Sequence, residues 1–248
     1  MSREETKLIW QEDFVVDWES VSKDNRITLS ALVRILLQGA TDHAEAMGFG
    51  FSDTSKEDLS WVLLRINLKI ERLPGWKEEI CVRTWPSQVK ALTAFREFEV
   101  VGKHKEVLCQ ATSEWSVINL KTRRPQRMEG LQFIENQHVN DEPHLVYPFP
   151  RVNPKMDFEE IFSLKIRYSH LDMNGHANAV KYFDWLSDAV YEQFGTNDVS
   201  FVFFNYYHEC MPGETISIGK SVEEPGVIRG FKTGGGKMAF LSKVEIRR

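Results

Sequence analysis

The sequence predicts an α+β protein built from one helix-and-sheet pattern used twice. Three observations carry this. Two amphipathic helical stretches lie far apart in the chain, a run of strand-like segments follows each, and a proline-rich stretch separates the two sets.

From Ser30 to Met47, apolar residues stand at Leu32, Val33, Leu36, Leu37, Ala40, Ala44 and Met47, the spacing of one helix face. Thr28 or Ser30 can cap the start of this helix and Gly48 can end it. Arg65 to Glu71 alternates apolar and polar residues, as a strand with one buried face does. Glu79 to Trp85, Ala94 to Val101 and Val107 to Leu120 are rich in β-formers and complete a first sheet. In the second half, Val180, Phe183, Leu186, Val190 and Phe194 form the stripe of a helix running from Ala179 to Phe194, with Gly195 as its stop. Ser200 to Tyr207, Thr215 to Val222, Val227 to Lys232 and Met238 to Ile246 then read as strands.

Pro143, Pro148, Pro150 and Pro154 mark a linker. The expected division is residues 1–130 for the first unit, 131–158 for the linker and 159–248 for the second. Glu71-Arg72-Leu73-Pro74-Gly75 recurs as Glu209-Cys210-Met211-Pro212-Gly213, each copy lying between strands, which points to duplication.

Composition excludes several classes. A net charge of −5 disfavours a general nucleic-acid binder. No apolar run approaches the ~18 residues of a membrane span. Cys81, Cys109 and Cys210 form neither a CxxC pair nor an even framework, as suits a reducing compartment. The N-terminal stretch lacks a signal-peptide core and is too acidic for a transit peptide, so a cytoplasmic setting is expected. No GxGxxG, P-loop, GxSxG or HExxH motif is present, and neither cofactor nor metal is expected.

The junction Asp172-Met173-Asn174-Gly175-His176-Ala177-Asn178 runs into the second helix. If extended, it projects Asp172, Asn174 and His176 to one side. The helix behind it offers backbone N–H groups and the positive end of its dipole. A base, an orienting amide and an oxyanion site within a few residues are what hydrolysis of an activated acyl group requires. Asn178 reads as the helix N-cap. The corresponding stretch of the first half, Ser22 to Thr28, has no histidine, so chemistry is expected in the second unit and an apolar pocket in the first.

Asp172-x-Asn174-x-His176-x-Asn178, followed by Lys181-Tyr182 and Trp185, resembles the signature of the acyl-acyl-carrier-protein (acyl-ACP) thioesterases, plant plastid enzymes with bacterial relatives. Tyr206-Tyr207-His208-Glu209-Cys210 is similar to that family's R-x-E-C stretch but departs from it in lacking the arginine. Trp61-Val62, Arg72 to Trp76, Ala111 to Trp115 and Thr122 to Arg124 follow the family order in the first half. The resemblance implies a tandem double hotdog, each unit a long helix wrapped by an antiparallel sheet. It also implies hydrolysis of the acyl-ACP thioester to free fatty acid and carrier protein, ending fatty-acid elongation. The absent transit peptide points to a bacterial enzyme.

Carried over residue by residue, the family's site falls on Asp172, Asn174, His176 and Glu209, with Cys210 beside them. Asp172 is expected as general base or nucleophile, Asn174 as a donor to a carbonyl or water, and His176 as the group that orients water or thioester. Glu209 is favoured over Cys210, because neighbours on a strand face opposite sides. Lys121, Arg123, Arg124 and Arg127 form a basic loop expected to dock acyl carrier protein, and a homodimer is a further expectation. Competing readings are an acyl-CoA thioesterase, a hotdog hydratase or dehydratase, and a non-catalytic acyl-binding module.

Overall fold

The computed structural model describes residues 9–129, 131 and 144–247. Its contacts divide the chain into two compact units, one running up to Tyr147 and one from Pro148 onward together with Leu29–Val33. The division falls within the stretch read as a linker, of which residues 132–143 lie outside the described residues.

The first unit holds β1 (Trp10–Val15), the long helix α1 (Leu29–Met47) from Arg34 onward, a single turn α2 (Phe51–Thr54), β2 (Leu59–Ile70), β3 (Glu79–Val89), β4 (Ala94–Gly102) and β5 (Val107–Asn119). All its pairings are antiparallel, in the order β1-β3-β4-β5-β2. The second unit holds β6 (Phe158–Lys165), α3 (Lys181–Phe194), β7 (Val199–Tyr206), β8 (Thr215–Ser221), β9 (Val227–Lys232) and β10 (Lys237–Ile246). Its order is β6-β8-β9-β10-β7, again antiparallel. The two orders match strand for strand, so duplication is visible in topology as well as in sequence.

β1 and β6 are the strands that periodicity did not single out. Both are short edge strands rich in charge, WQEDFV and FEEIFSLK, and charge is how sheets blunt an exposed edge. The same charges erase the hydrophobic signal that reveals a central strand.

Each helix buries its apolar stripe. On α1, Leu32, Val33 and Leu36 are wholly buried, as are Ile66, Leu68, Val82 and Phe98 on the sheet. Gly39 of α1 faces Trp10, Val82 and Thr84, at distances where a Cβ would make ordinary contact. On α3, Phe183, Leu186, Ala189 and Val190 are wholly buried. Phe183 packs on Phe204 with ring centroids 4.7 Å apart, and Phe204 stacks on Phe240 at 4.8 Å. Each such side chain contributes roughly 1.5–3 kcal/mol.

The interior of the first unit carries buried polar groups beside its apolar faces. Arg96 is buried on β4 and donates through Nη1 to Thr84 Oγ1 at 3.2 Å, with His43 Nδ1 of α1 at 3.1 Å. Burial pulls its guanidinium down to about 10, which still leaves it charged at neutral pH. A groove of about 840 Å³ on the same unit is lined by Asp13, Glu79, Arg83, Glu99, Lys103 and Lys105 together with Phe14, Val15, Ile80 and Val101.

On the other face of β4, Glu97 is wholly buried and anchors the segment at residues 144–146. Its carboxylate accepts from Ser87 Oγ at 2.7 Å, Thr112 Oγ1 and the Leu145 N–H at 3.0 Å, and it lies 2.8 Å from His144 Nδ1. Val146 N–H donates to Thr112 Oγ1, and Asn67 Nδ2 donates to the Val146 carbonyl, each at 2.9 Å. Linker composition therefore misrepresents residues 144–146, which are hydrogen-bonded to a sheet. We predict that Glu97→Ala lowers stability by about 3 kcal/mol, because several buried donors lose their acceptor. Denaturant midpoints check this. A loss under about 0.5 kcal/mol, the scale of a surface change, would show the network to be dispensable.

Candidate active site

The segment before α3 is a closed turn and not an extended strand. Leu171 bridges Ala177, Asp172 N–H donates to the His176 carbonyl at 2.8 Å, and Gly175 N–H donates to the Asp172 carbonyl at 3.1 Å. The Asp172 carboxylate closes it, its Oδ1 accepting the N–H groups of Asn174 at 2.8 Å and His176 at 3.2 Å. Gly175 takes φ +77°, which glycine adopts at no steric cost. The Asp-x-Asn-x-His spacing thus encodes a turn. One oxygen of Asp172 is committed to the backbone, while the Asn174 side chain is left exposed at the tip.

His176 and Glu209 come together. His176 Nδ1 lies 3.4 Å from Glu209 Oε1, with the histidine side chain 20% exposed and the carboxylate 41%. Cys210 points the other way and is wholly buried. Burial pushes its thiol up, with the Tyr182 hydroxyl and Lys232 pulling in the opposite sense. Glu209 and Cys210 lie beyond the end of β7, so the strand alternation expected there does not apply. Their opposite facing comes from the hydrogen bonds of the segment. Cys210 N–H donates to Tyr182 Oη at 3.2 Å, the Cys210 carbonyl accepts from Ala177 N–H at 2.9 Å, and Lys232 Nζ donates to the Glu209 carbonyl at 3.2 Å.

The N–H groups before α3 are largely spent. Val180 N–H donates to Asn178 Oδ1 at 2.9 Å, Lys181 N–H to the Asn178 carbonyl at 2.9 Å, and Phe183 N–H to the Val180 carbonyl at 3.0 Å. The N-cap is Val180, so Asn178 caps the preceding turn and not the helix itself. The expected oxyanion site at the helix start is therefore not formed by these three groups. The Asn174 amide is the exposed donor on the turn.

The first unit repeats this architecture without the acid and base. Ser22 N–H donates to the Arg26 carbonyl, Asn25 N–H to the Ser22 carbonyl, and Ile27 N–H to the Pro74 carbonyl, at 2.8, 3.0 and 2.8 Å. These match the bonds of Asp172, Gly175 and Ala177. Pro74 therefore corresponds to Cys210, Gly75 to Met211 and Glu78 to Glu214, two places away from the alignment that pairs the Pro-Gly dipeptides. The reason is the turn. Its left-handed residue precedes the glutamate, and that place is taken by Lys77 at φ +64° in one copy and by Gly213 at φ +87° in the other. Opposite His176 and Glu209, the first copy has Arg26 and Leu73.

Lys121, Arg123, Arg124 and Arg127 are all exposed on the turn after β5. Two of them have acidic neighbours, Asp58 for Lys121 and Glu129, at 3.8 Å, for Arg127. Two residues at the site were not given roles by spacing alone. Tyr182 stood inside the motif without an assigned contact, and Lys232 was one lysine at the end of an apolar run.

Residues 7–131 match the family described as the acyl-ACP thioesterase N-terminal domain, and residues 154–234 match its C-terminal domain. The chain is 27% identical to oleoyl-acyl carrier protein thioesterase 1, chloroplastic, of Arabidopsis thaliana, over 93% of this chain and 69% of that protein. It is 29% identical to the dodecanoyl-[acyl-carrier-protein] hydrolase of Cinnamomum camphora, over 82% of this chain and 56% of that protein. Among solved structures, an acyl-ACP thioesterase from Bacteroides thetaiotaomicron superposes with a TM-score of 0.85 at 28% identity, covering 98% of this chain and 99% of that one. A 12:0-ACP thioesterase from Umbellularia californica shares the fold, with a TM-score of 0.78 at 23% identity over 96% and 97% of the two chains. The two helix-and-sheet units are tandem hotdogs, and the chain belongs to the acyl-ACP thioesterase family.

Proposed function

We propose that this chain hydrolyses the thioester of acyl-ACP to free fatty acid and carrier thiol, with Glu209 and His176 activating the attacking water. The observation that carries this reading is the 3.4 Å approach of His176 Nδ1 to Glu209 Oε1 beside the exposed amide of Asn174. Water attacks the thioester carbonyl carbon and gives its proton to the His176–Glu209 pair. Asn174 donates to the oxyanion that develops. The C–S bond then breaks and the carrier's thiolate leaves. Its pKa of roughly 8–9 requires little acid assistance. Asp172 holds the turn that presents Asn174 and His176. Cys210, protonated and turned into the core, does not serve as nucleophile. The setting we assign is the cytoplasm, where free cysteines persist and fatty-acid elongation is ended by this release.

Glu209→Gln and His176→Ala should each lower kcat by on the order of a hundredfold or more while melting normally. Cys210→Ser should retain most activity. Trapping an acyl-Cys210 species by rapid quench and mass spectrometry would replace the water mechanism with a covalent one.

We assign the acyl chain to the interior of the first unit, supported by the apolar faces of α1 and of Ile66, Leu68 and Ile70. Each buried CH₂ contributes roughly 0.8 kcal/mol, so depth sets chain-length preference. Ala40→Leu or Ala44→Leu should shift preference towards shorter acyl chains. Unchanged chain-length profiles in these folded variants would place the chain elsewhere.

The carrier protein is assigned to the basic turn at Lys121, Arg123, Arg124 and Arg127, on charge complementarity with an acidic partner. Replacing all four by Ala should raise KM for acyl-ACP about threefold or more at low salt, with kcat unchanged. An unaltered KM would remove the turn from the docking surface.

A further inference from the structure

Comparing the two copies bond by bond separates what the turn needs for folding from what the second copy adds. In the first copy, the carbonyl of Leu73 accepts from Arg26 Nη1 at 3.2 Å. Leu73 corresponds to Glu209 and Arg26 to His176. In the second copy His176 cannot do this work, because its ring faces the Glu209 carboxylate. The Glu209 carbonyl is held instead by Lys232 Nζ, at 3.2 Å, from the end of β9.

The strand register identifies the position Lys232 occupies. Ile80, two residues after Glu78, pairs with Gly102, and Ile216, two residues after Glu214, pairs with Lys232. The first copy thus has glycine where the second has lysine. A side chain at Gly102 would run into the Glu106 carboxylate, with its Cβ 2.3 Å from Oε1. The matching glutamates are also served differently. Glu78 pairs with Arg72 at 2.7 Å, whereas Glu214 pairs with Lys232 at 2.7 Å. Each glutamate accepts the N–H that opens its own turn, Gly75 at 2.9 Å and Met211 at 2.7 Å.

The geometry points to Lys232 as a positioning residue for Glu209. It takes over in the second copy the carbonyl that an arginine holds in the first, and so frees the histidine position for chemistry. Lys232 is 9% exposed, and a lysine ammonium has three donors, enough to hold the Glu209 carbonyl and the Glu214 carboxylate together. The Glu209 backbone is thereby fixed on one side while its side chain reaches His176 on the other. This inference rests on the reading of Glu209 as part of the water-activating pair.

The test measures steady-state turnover of acyl-ACP by the full chain carrying Lys232→Met, Lys232→Arg or Glu214→Gln, with Glu209→Gln in parallel and melting recorded for all. Lys232→Met should lower kcat by on the order of tenfold to a hundredfold with KM within about twofold, as a displaced reacting group does. Lys232→Arg should recover most of the loss. Glu214→Gln, which removes the ion pair but leaves the lysine on the Glu209 carbonyl, should stay within about threefold of the starting kcat. Wild-type kcat in folded Lys232→Met overturns the proposal. So does a loss in Glu214→Gln equal to that in Lys232→Met, which would make the ion pair merely structural. If Lys232→Met does not fold, the double variant Lys232→Met with Glu214→Gln, which removes the carboxylate left without its ion pair, replaces it, and wild-type kcat there overturns the proposal. Activity retained by Glu209→Gln would instead sink the reading of the site itself, whatever the lysine variants do.

Discussion

The structure turns on one backbone hydrogen bond, the Ala177 N–H to the Cys210 carbonyl at 2.9 Å. It ties the turn before the helix to the segment after β7. Thirty-odd residues and a complete helix separate these segments in sequence, and neither places a reacting group alone. Held together, they set His176 against Glu209 and turn Cys210 inward. The first unit contains the same bond, from Ile27 N–H to the Pro74 carbonyl. The tie is therefore a property of the fold that both copies share.

That shared tie explains how the copies diverge. A turn that closes on itself and docks by backbone groups tolerates different side chains, because N–H and C=O are common to all of them. Ser22 and Asp172 close their turns with different side chains, and Lys77 and Gly213 both accept a left-handed backbone. The first copy fills its reactive positions with Arg26 and Leu73. Its own buried polar groups do other work. Arg96 joins a strand to the long helix, and Glu97 gathers the strand of chain at residues 144–146 onto the opposite face. Buried polar groups must be satisfied, and these are satisfied by contacts that a charge count cannot anticipate.

Some features were legible because they depend on local periodicity. The helical stripes of Leu32 to Met47 and Val180 to Phe194 and the alternation of Arg65 to Ile70 are written in neighbouring residues. So is the cluster of Asp172, Asn174 and His176 just before the second helix, although its turn conformation is not. The edge strands β1 and β6 were not legible, because charged edges carry no hydrophobic period. The true alignment of the repeats was hidden as well. Pro-Gly is a conspicuous local signal, yet it is the position of the glutamate and of the left-handed residue before it that sets the correspondence.

By itself the sequence determined the α+β class, the duplication and the family to which the chain belongs. Each of these follows from residue types at fixed spacing, which folding does not alter. Only the tertiary structure decided that the Asp172 carboxylate is spent on its own turn, that Asn178 caps that turn and not the helix, and that Glu209 faces His176 while Cys210 is buried. It also decided that Lys232 reaches the Glu209 carbonyl from another strand. The physical reason is common to all four. Which way a side chain points outside a regular element depends on where the hydrogen bonds of its segment go, within the turn for Asp172 and Asn178 and to residues remote in sequence for Glu209, Cys210 and Lys232.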